Sequence, residues 1–280
     1  MARILGAIFT SHIPAIGGAI ARGAQQEPYW KPFFDGYPPV REWLDKVSPD
    51  LVVVVYNDHG LNFFLDKLPT FAIGAAAEYR NDDEGWGLPT LPPFPGDPPF
   101  SWHVIESLVA DEFDVTTCQE MLVDHAFTVP VSLLWPNRSA RRFRTLPVAV
   151  NTVQHPLPTP ARCYKLGHAI GRAIESYPED LGVVVVATGG LSHQLDGERA
   201  GFINKPFDLM CLDKIVDDPQ ALASLSIREL VRDAGTQGVE LIMWLVARGA
   251  LTGTVSRLHS HYHIPVSNTA AGLLLLDNAA

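Results

Sequence analysis

The clearest pattern along the chain is a valine run that ends abruptly in polar groups, "VVVVYNDHG" at 52–60. An unbroken apolar run of this length fits a strand buried on both faces. "RILGAIF" (3–9), "LPVAVNTV" (146–153), "LGVVVVATGG" (181–190) and "AGLLLLD" (271–277) also read as strands. Between them lie helical patterns: "VREWLDKV" (40–47), "SWHVIESLVADEF" (101–113), "PARCYKLGHAIGRAIESY" (160–177) and the almost wholly apolar "GVELIMWLVARGAL" (238–251). Pro160 near a helix start suits the first turn, where its missing N–H has no partner to lose. This alternation predicts one α/β domain over 1–280, with a central, mostly buried mixed sheet flanked by helices and an active site at the strand carboxyl ends. The stretch 78–100, rich in Pro, Gly and acids, is expected to be a long surface loop, a lid or partner surface.

Composition narrows the class. At 280 residues, 47% hydrophobic and 19% charged, the chain is long and apolar enough for a full core. Its net charge of −10 repels phosphate backbones, which argues against nucleic-acid partners. Cys118, Cys163 and Cys211 lie far apart, and three scattered thiols fit a reducing cytoplasm better than a disulfide framework. No apolar run approaches the roughly 20 residues of a membrane span, and the N-terminus reaches His12 too soon for a signal peptide. A soluble cytoplasmic protein without membrane partners is expected. Phosphate-cradling and nucleophile-elbow motifs are absent from the sequence.

The polar ends of the strands carry the candidate chemistry. His12 follows the strand 3–9, His59 the strand 50–57, and His193 the strand at 183–188. A fourth histidine, His125, sits in a similar polar-to-apolar transition, "VDHAFTVP". A single histidine after a strand is more often an ordinary turn residue. Three at equivalent positions suggest convergence without identifying a metal. Glu240 is the lone acid between Asp233 and Asp277, in the first turn of the apolar helix. It either faces water and favours the helix dipole, or is buried and needs a cation or hydrogen-bond donor. Two imidazoles and a carboxylate on one side of a metal suit non-haem Fe(II). A zinc hydrolase uses the same ligand types, so spacing does not choose between them. His103 and His168 fall within helices and read as structural or exposed, and His259, His261 and His263 alternate along one strand face and read as structural.

Longer blocks add a resemblance. "TSHIPAIGGAI", "VVYNDHG", "PTFAIG", "DEGWG", "VDHAFTVP", "TGGLSHQLDGERAGFINKPFD", "GVELIMWLVARGAL" and "YHIPVSNTA" span nearly the whole chain. Together they resemble the class III extradiol dioxygenases, in particular the catalytic β subunit of protocatechuate 4,5-dioxygenase. The resemblance implies Fe(II) held by His12, His59 and Glu240, with His193 as the acid/base group. It implies that His125 contacts a substrate hydroxyl or dioxygen, that Ser267 and Asn268 hold a substrate carboxylate, and that Asn57 lines the pocket. The implied substrates are dioxygen and a small aromatic diol, protocatechuate first, with gallate, a methylated gallate or an aminophenol as alternatives. The family further implies a small α subunit over the site, in a hetero-oligomer, or else a homo-oligomer. No extension equivalent to that subunit follows the last strand before Ala280. Asp58 has no role assigned by the motif, although it stands beside His59.

Overall fold

The computed structural model describes residues 1–137 and 143–279. Its elements in chain order are β1 (Arg3–Thr10), α1 (Pro14–Arg22), α2 (Lys31–Phe34), α3 (Pro38–Val47), β2 (Leu51–Tyr56), β3 (Phe71–Gly74), β4 (Glu78–Tyr79), β5 (Phe94–Pro95), α4 (Pro98–Ala110) and β6 (Thr116–Cys118). There follow α5 (His125–Leu134), β7 (Arg144–Val150), α6 (Pro160–Ser176), β8 (Gly182–Thr188), α7 (Lys205–Asp217), α8 (Pro219–Ala223), α9 (Ile227–Ala234), α10 (Leu241–Ala250), β9 (Thr254–Val266) and β10 (Thr269–Ala279).

Eight strands form one sheet in the order β6-β3-β7-β2-β8-β1-β10-β9. The four central strands β7, β2, β8 and β1 are parallel, while β3 joins β7, and β10 joins β1, in antiparallel register. The sheet is therefore mixed, as the alternation predicts. All six β2 residues are buried. Val53 and Val55 pack on the side of α4, α6 and α10, whereas Val52, Val54 and Tyr56 pack on the side of α1, α3 and α5. Both faces thus need apolar residues, which is why the strand reads as a run rather than an alternation. Burying each such side chain contributes about 1.5–3 kcal/mol.

On one face α6 and α10 approach closely through glycine. A methyl placed on Gly167 would lie 2.1 Å from the Val246 carbonyl oxygen and 2.9 Å from the Gly249 Cα. Backbone cannot yield as a flexible side chain can. Gly167→Ala should therefore destabilise the protein by about 2 kcal/mol despite alanine's better helix propensity, and a thermal or urea melt reads the loss.

The expected strands and helices are present, with ends that shift by a few residues. The strand expected over 146–153 runs Arg144–Val150, and the helix expected over 101–113 starts earlier, at Pro98, behind the Asp97 N-cap. The apolar helix is preceded by a 3-10 turn at Gly238–Glu240. Sequence reading left α1, α5, the short strands β3 and β6, and the segment 205–234 without elements. That segment forms α7, α8 and α9, the last entered through a Ser226/Glu229 capping box. The expected surface loop 78–100 is largely irregular but tied at its base by the β4–β5 pair. Cys118, Cys163 and Cys211 are buried, unbonded thiols. Among the described residues no helix is long and apolar enough to cross a membrane.

Candidate metal centre

The parallel arrangement decides where the polar strand ends meet. β2, β8 and β1 are neighbours pointing the same way, so their carboxyl ends lie side by side at one edge. His12 follows β1 by two residues, His59 follows β2 by three, and the loop Gly189–His193 leaves β8 between them. His125 comes from elsewhere, as the first residue of α5. The imidazole nitrogens of His12, His59 and His125 offer ligand atoms within 4.8 Å of one another. Rings of His59 and His125 lie 4.2 Å apart between centroids.

Glu240 lies beside this trio, against His12. It is 4% exposed, so the water-facing alternative does not hold. One carboxylate oxygen lies 3.5 Å from Nε2 of His12, and the other accepts the Gly190 N–H at 3.0 Å and lies 4.0 Å from Nδ1 of His193. Gly189 makes this approach possible. Its φ is +90°, and a Cβ there would meet Glu240 Cβ and Oε2 at 2.8 Å. Burial alone raises a carboxyl's pKa, but His12, His193 and His59 outweigh it and hold Glu240 well below the usual carboxylate range.

His12, His59 and His125 are each oriented through Nδ1. Nδ1 of His12 meets the Thr188 hydroxyl at 3.1 Å. Nδ1 of His59 lies 2.8 Å from Asp124 Oδ2, the oxygen that also accepts the His59 backbone N–H at 2.8 Å. Glu84 grips His125 in the same way, its carboxylate 2.7 Å from Nδ1 and accepting the backbone N–H at 2.7 Å. Nε2 of His125 is thereby turned to the cluster, and Nε2 of His59 likewise, with Asn57 Nδ2 3.1 Å from it; outer partners of this kind fix the tautomer of a metal-bound imidazole.

Asp124 and Glu84 are functional candidates that sequence reading missed. Asp124 stands next to His125 and also caps α5, accepting the Ala126 N–H at 2.9 Å. Glu84 belongs to the loop 78–100, so that loop reaches into the cluster rather than merely covering a surface. Only the fold could pair either acid with its histidine. Asp58, whose neighbour is His59, does not orient it. Its carboxylate accepts N–H bonds from Gly60, Leu61, Asn62 and Phe63 at 3.0–3.1 Å and shapes the loop after β2.

The remaining predicted residues lie around these. Asn57 is buried, its Nδ2 3.1 Å from Nε2 of His59, and its Oδ1 has no hydrogen-bond partner among the described residues. His193 is bridged across to Thr269, and its Nδ1 is likewise buried and unpartnered. Ser267 and Asn268 form the β9–β10 turn immediately before Thr269, so the turn adjoins His193; both are exposed, and Ser267 has a φ of +55°. By contrast, His103, His259 and His261 bond backbone carbonyls of neighbouring segments, as expected of structural histidines.

The donor set fits a divalent transition metal. It supplies imidazole nitrogens and one carboxylate, and Asn57 and His193, beside His59 and Glu240, each carry a buried polar atom without a partner among the described residues. Burial works against a charged His59, yet Asp124 prevails and raises its pKa from 6.5 to about 9. Stabilisation from this pair is full below pH 6.5 and lost as pH rises through 9. Metal-stripped protein should accordingly melt at lower temperature as pH climbs across that window. Asp124→Asn should flatten the dependence and weaken metal uptake by about 10–100-fold, read by titration with a chromophoric competitor.

Comparison with known proteins agrees with this chemistry. A family model described as the catalytic LigB subunit of aromatic ring-opening dioxygenase matches residues 6–272. Gallate dioxygenase of Pseudomonas putida is 46% identical over 196 residues, covering 70% of this chain and 57% of that protein. This chain thus spans little more than half the length of that relative. A 2,3-dihydroxyphenylpropionate/2,3-dihydroxicinnamic acid 1,2-dioxygenase of Photorhabdus laumondii is 33% identical over 316 residues, covering 96% of each chain. An uncharacterized protein of Escherichia coli K12 shares the fold, with a TM-score of 0.57 at 14% identity over 97% of this chain and 99% of the other. With residues 6–272 matched, the chain belongs to the family of the catalytic LigB subunit of aromatic ring-opening dioxygenases.

Proposed function

We propose that residues 1–280 form a single catalytic domain that opens the ring of a carboxylate-bearing catechol, by extradiol cleavage with Fe(II) and dioxygen. The carrying observation is the placement of His193, whose buried, unpartnered Nδ1 stands 4.0 Å from the carboxylate of Glu240. Such a nitrogen suits a group that must receive a proton from a substrate and return it. Burial lowers its pKa, with Glu240 opposing and His59 assisting, so the ring is neutral and ready to accept near pH 7.

The residues divide the work. His12, His59 and Glu240 would hold the iron, which would supply the redox chemistry between the diol and dioxygen. His193 takes the proton of a substrate hydroxyl, and His125, fixed by Glu84, hydrogen-bonds an oxygen on the opposite side of the pocket. Asn57 lines the pocket beside His59. Ser267 and Asn268 receive the substrate carboxylate from the turn beside His193, which selects the ring bond presented for cleavage. One carbon–carbon bond beside the diol breaks, both atoms of dioxygen enter the product, and a muconate semialdehyde or its hydroxylated equivalent results.

The naming of the 46% identical relative moves gallate ahead of protocatechuate as the first substrate to test. Protocatechuate and a dihydroxyphenylpropionate follow. The pocket is expected to be covered by a small α subunit or by a second copy of the chain. Protein loaded anaerobically with Fe(II) and given each catechol in an oxygen electrode should consume one dioxygen per ring. Turnover with zinc but not iron, or hydrolysis without oxygen uptake, overturns the proposal.

A further inference from the structure

Every backbone polar group of the loop Gly189–His193 that carries a partner takes it from a different part of the molecule. The indole N–H of Trp244 donates to the Gly189 carbonyl at 3.1 Å, and the Ser11 hydroxyl donates to that of Gly190 at 2.5 Å. Leu191 N–H donates to Ala270, and the Ser192 carbonyl accepts from the Ala270 N–H. His193 N–H donates to Ala234, and its carbonyl accepts from Gln237 and Gly238. Two carboxylates also bind the loop. One is Glu240, on Gly190. The other is Asp208 on α7, outside the cluster, on Ser192.

Asp208 is 1% exposed. Its Oδ1 accepts the Ser192 N–H at 2.8 Å, and its Oδ2 accepts the Ser192 hydroxyl at 2.6 Å and the Tyr262 hydroxyl at 2.8 Å. The Ser192 oxygen in turn accepts the N–H of Asn204, the N-cap of α7, at 2.9 Å. Among the described residues, no cation lies within ion-pair distance of Asp208. Burying a carboxylate without a counter-ion is costly, and a stability argument alone would favour a neutral side chain there. What the carboxylate offers instead is acceptor capacity. It takes three donors at once and offers none, which fixes both the backbone and the hydroxyl rotamer of Ser192. Ser192 is the residue before His193 and lies two after Gly190, the donor to Glu240.

We infer that Asp208 is a positioning residue of the reaction: through Ser192 it holds His193 and the Gly190 N–H in register with the metal-binding cluster. This rests on the ring-cleavage reading above. Asn has nearly the same shape but turns one acceptor into a donor, so it loosens the clamp without opening a cavity. In full-length, Fe(II)-loaded Asp208→Asn, kcat should fall at least about tenfold while KM and bound iron stay within about twofold of the parent. Amide exchange of residues 189–193 should accelerate about tenfold or more, and that of β2 should not change.

Unchanged kcat overturns the inference, as does faster exchange throughout β2 together with iron loss, which marks a general structural role. Should Asp208→Asn not fold, Tyr262→Phe decides instead, because it removes one donor and leaves the carboxylate. A lower kcat at constant KM supports the inference, and parental kinetics overturn it. If the parent protein cleaves no catechol, the ring-cleavage reading fails. The exchange data then decide alone: local acceleration with iron retained supports the positioning role, and its absence overturns it.

Discussion

Glu240→Gln is expected to abolish iron binding and oxygen uptake together while leaving the protein folded. Gln keeps an oxygen for the Gly190 N–H, now 3.0 Å from a carboxylate oxygen, so the loop after β8 retains that anchor. What disappears is the negative charge among His12, His59 and His193. Asp124 and Glu84, the other acids near the imidazoles among the described residues, are committed to the far nitrogens of His59 and His125. The loss in affinity should exceed the 10–100-fold typical of removing an outer partner. Glu240→Ala should add a stability loss of about 1–3 kcal/mol, because it leaves the buried Gly190 N–H without an acceptor. Iron content by colorimetric assay and a thermal melt separate the two effects. Full iron content in Glu240→Gln would remove this residue from the ligand set.

The second large effect belongs to His193. His193→Ala should retain iron and bind substrate, yet turn over about 10²–10⁴-fold more slowly, the range for a missing acid/base group. Retention of metal is expected because Nδ1 of His193 lies 4.0 Å from Glu240, farther than the 3.5 Å of Nε2 of His12. The pH profile carries its own sign. Burial is the largest influence on this imidazole and lowers its pKa from 6.5, and a cation in the cluster pushes the same way. The acid limb of kcat should therefore fall below pH 6.5 and vanish in the variant. Loss of iron along with activity in His193→Ala would instead make it a ligand.

The route from sequence to site can be followed residue by residue. His12, His59 and His193 were visible because parallel strands are long apolar runs, and a polar residue at the end of such a run stands out. Glu240 was visible as an isolated acid in an apolar helix, although its sequence left burial undecided. Asp124 and Glu84 were not recognisable. Each is one of many acids in a chain with 31 Asp and Glu residues. Their roles come from contacts spanning 65 and 41 positions. Asp58 had no role legible in the sequence, and in the fold its carboxylate serves local backbone N–H groups. The carboxylate of Asp208 was equally silent, 16 residues from the serine it holds.

By itself, then, the sequence determined the elements and the edge of the sheet at which chemistry belongs. Hydrophobic periodicity is a local property, and burial on both faces of β2 and β8 writes itself into consecutive valines. Family resemblance added the identity of the candidate ligands. Only the tertiary structure decided that β2, β8 and β1 are neighbours in that order, so that their ends converge, and that Glu240 turns inward to meet them. It alone decided which acid fixes which imidazole. Hydrogen bonds form between groups that are close in space, and closeness across tens of residues is set by packing of the whole sheet rather than by any window of the chain.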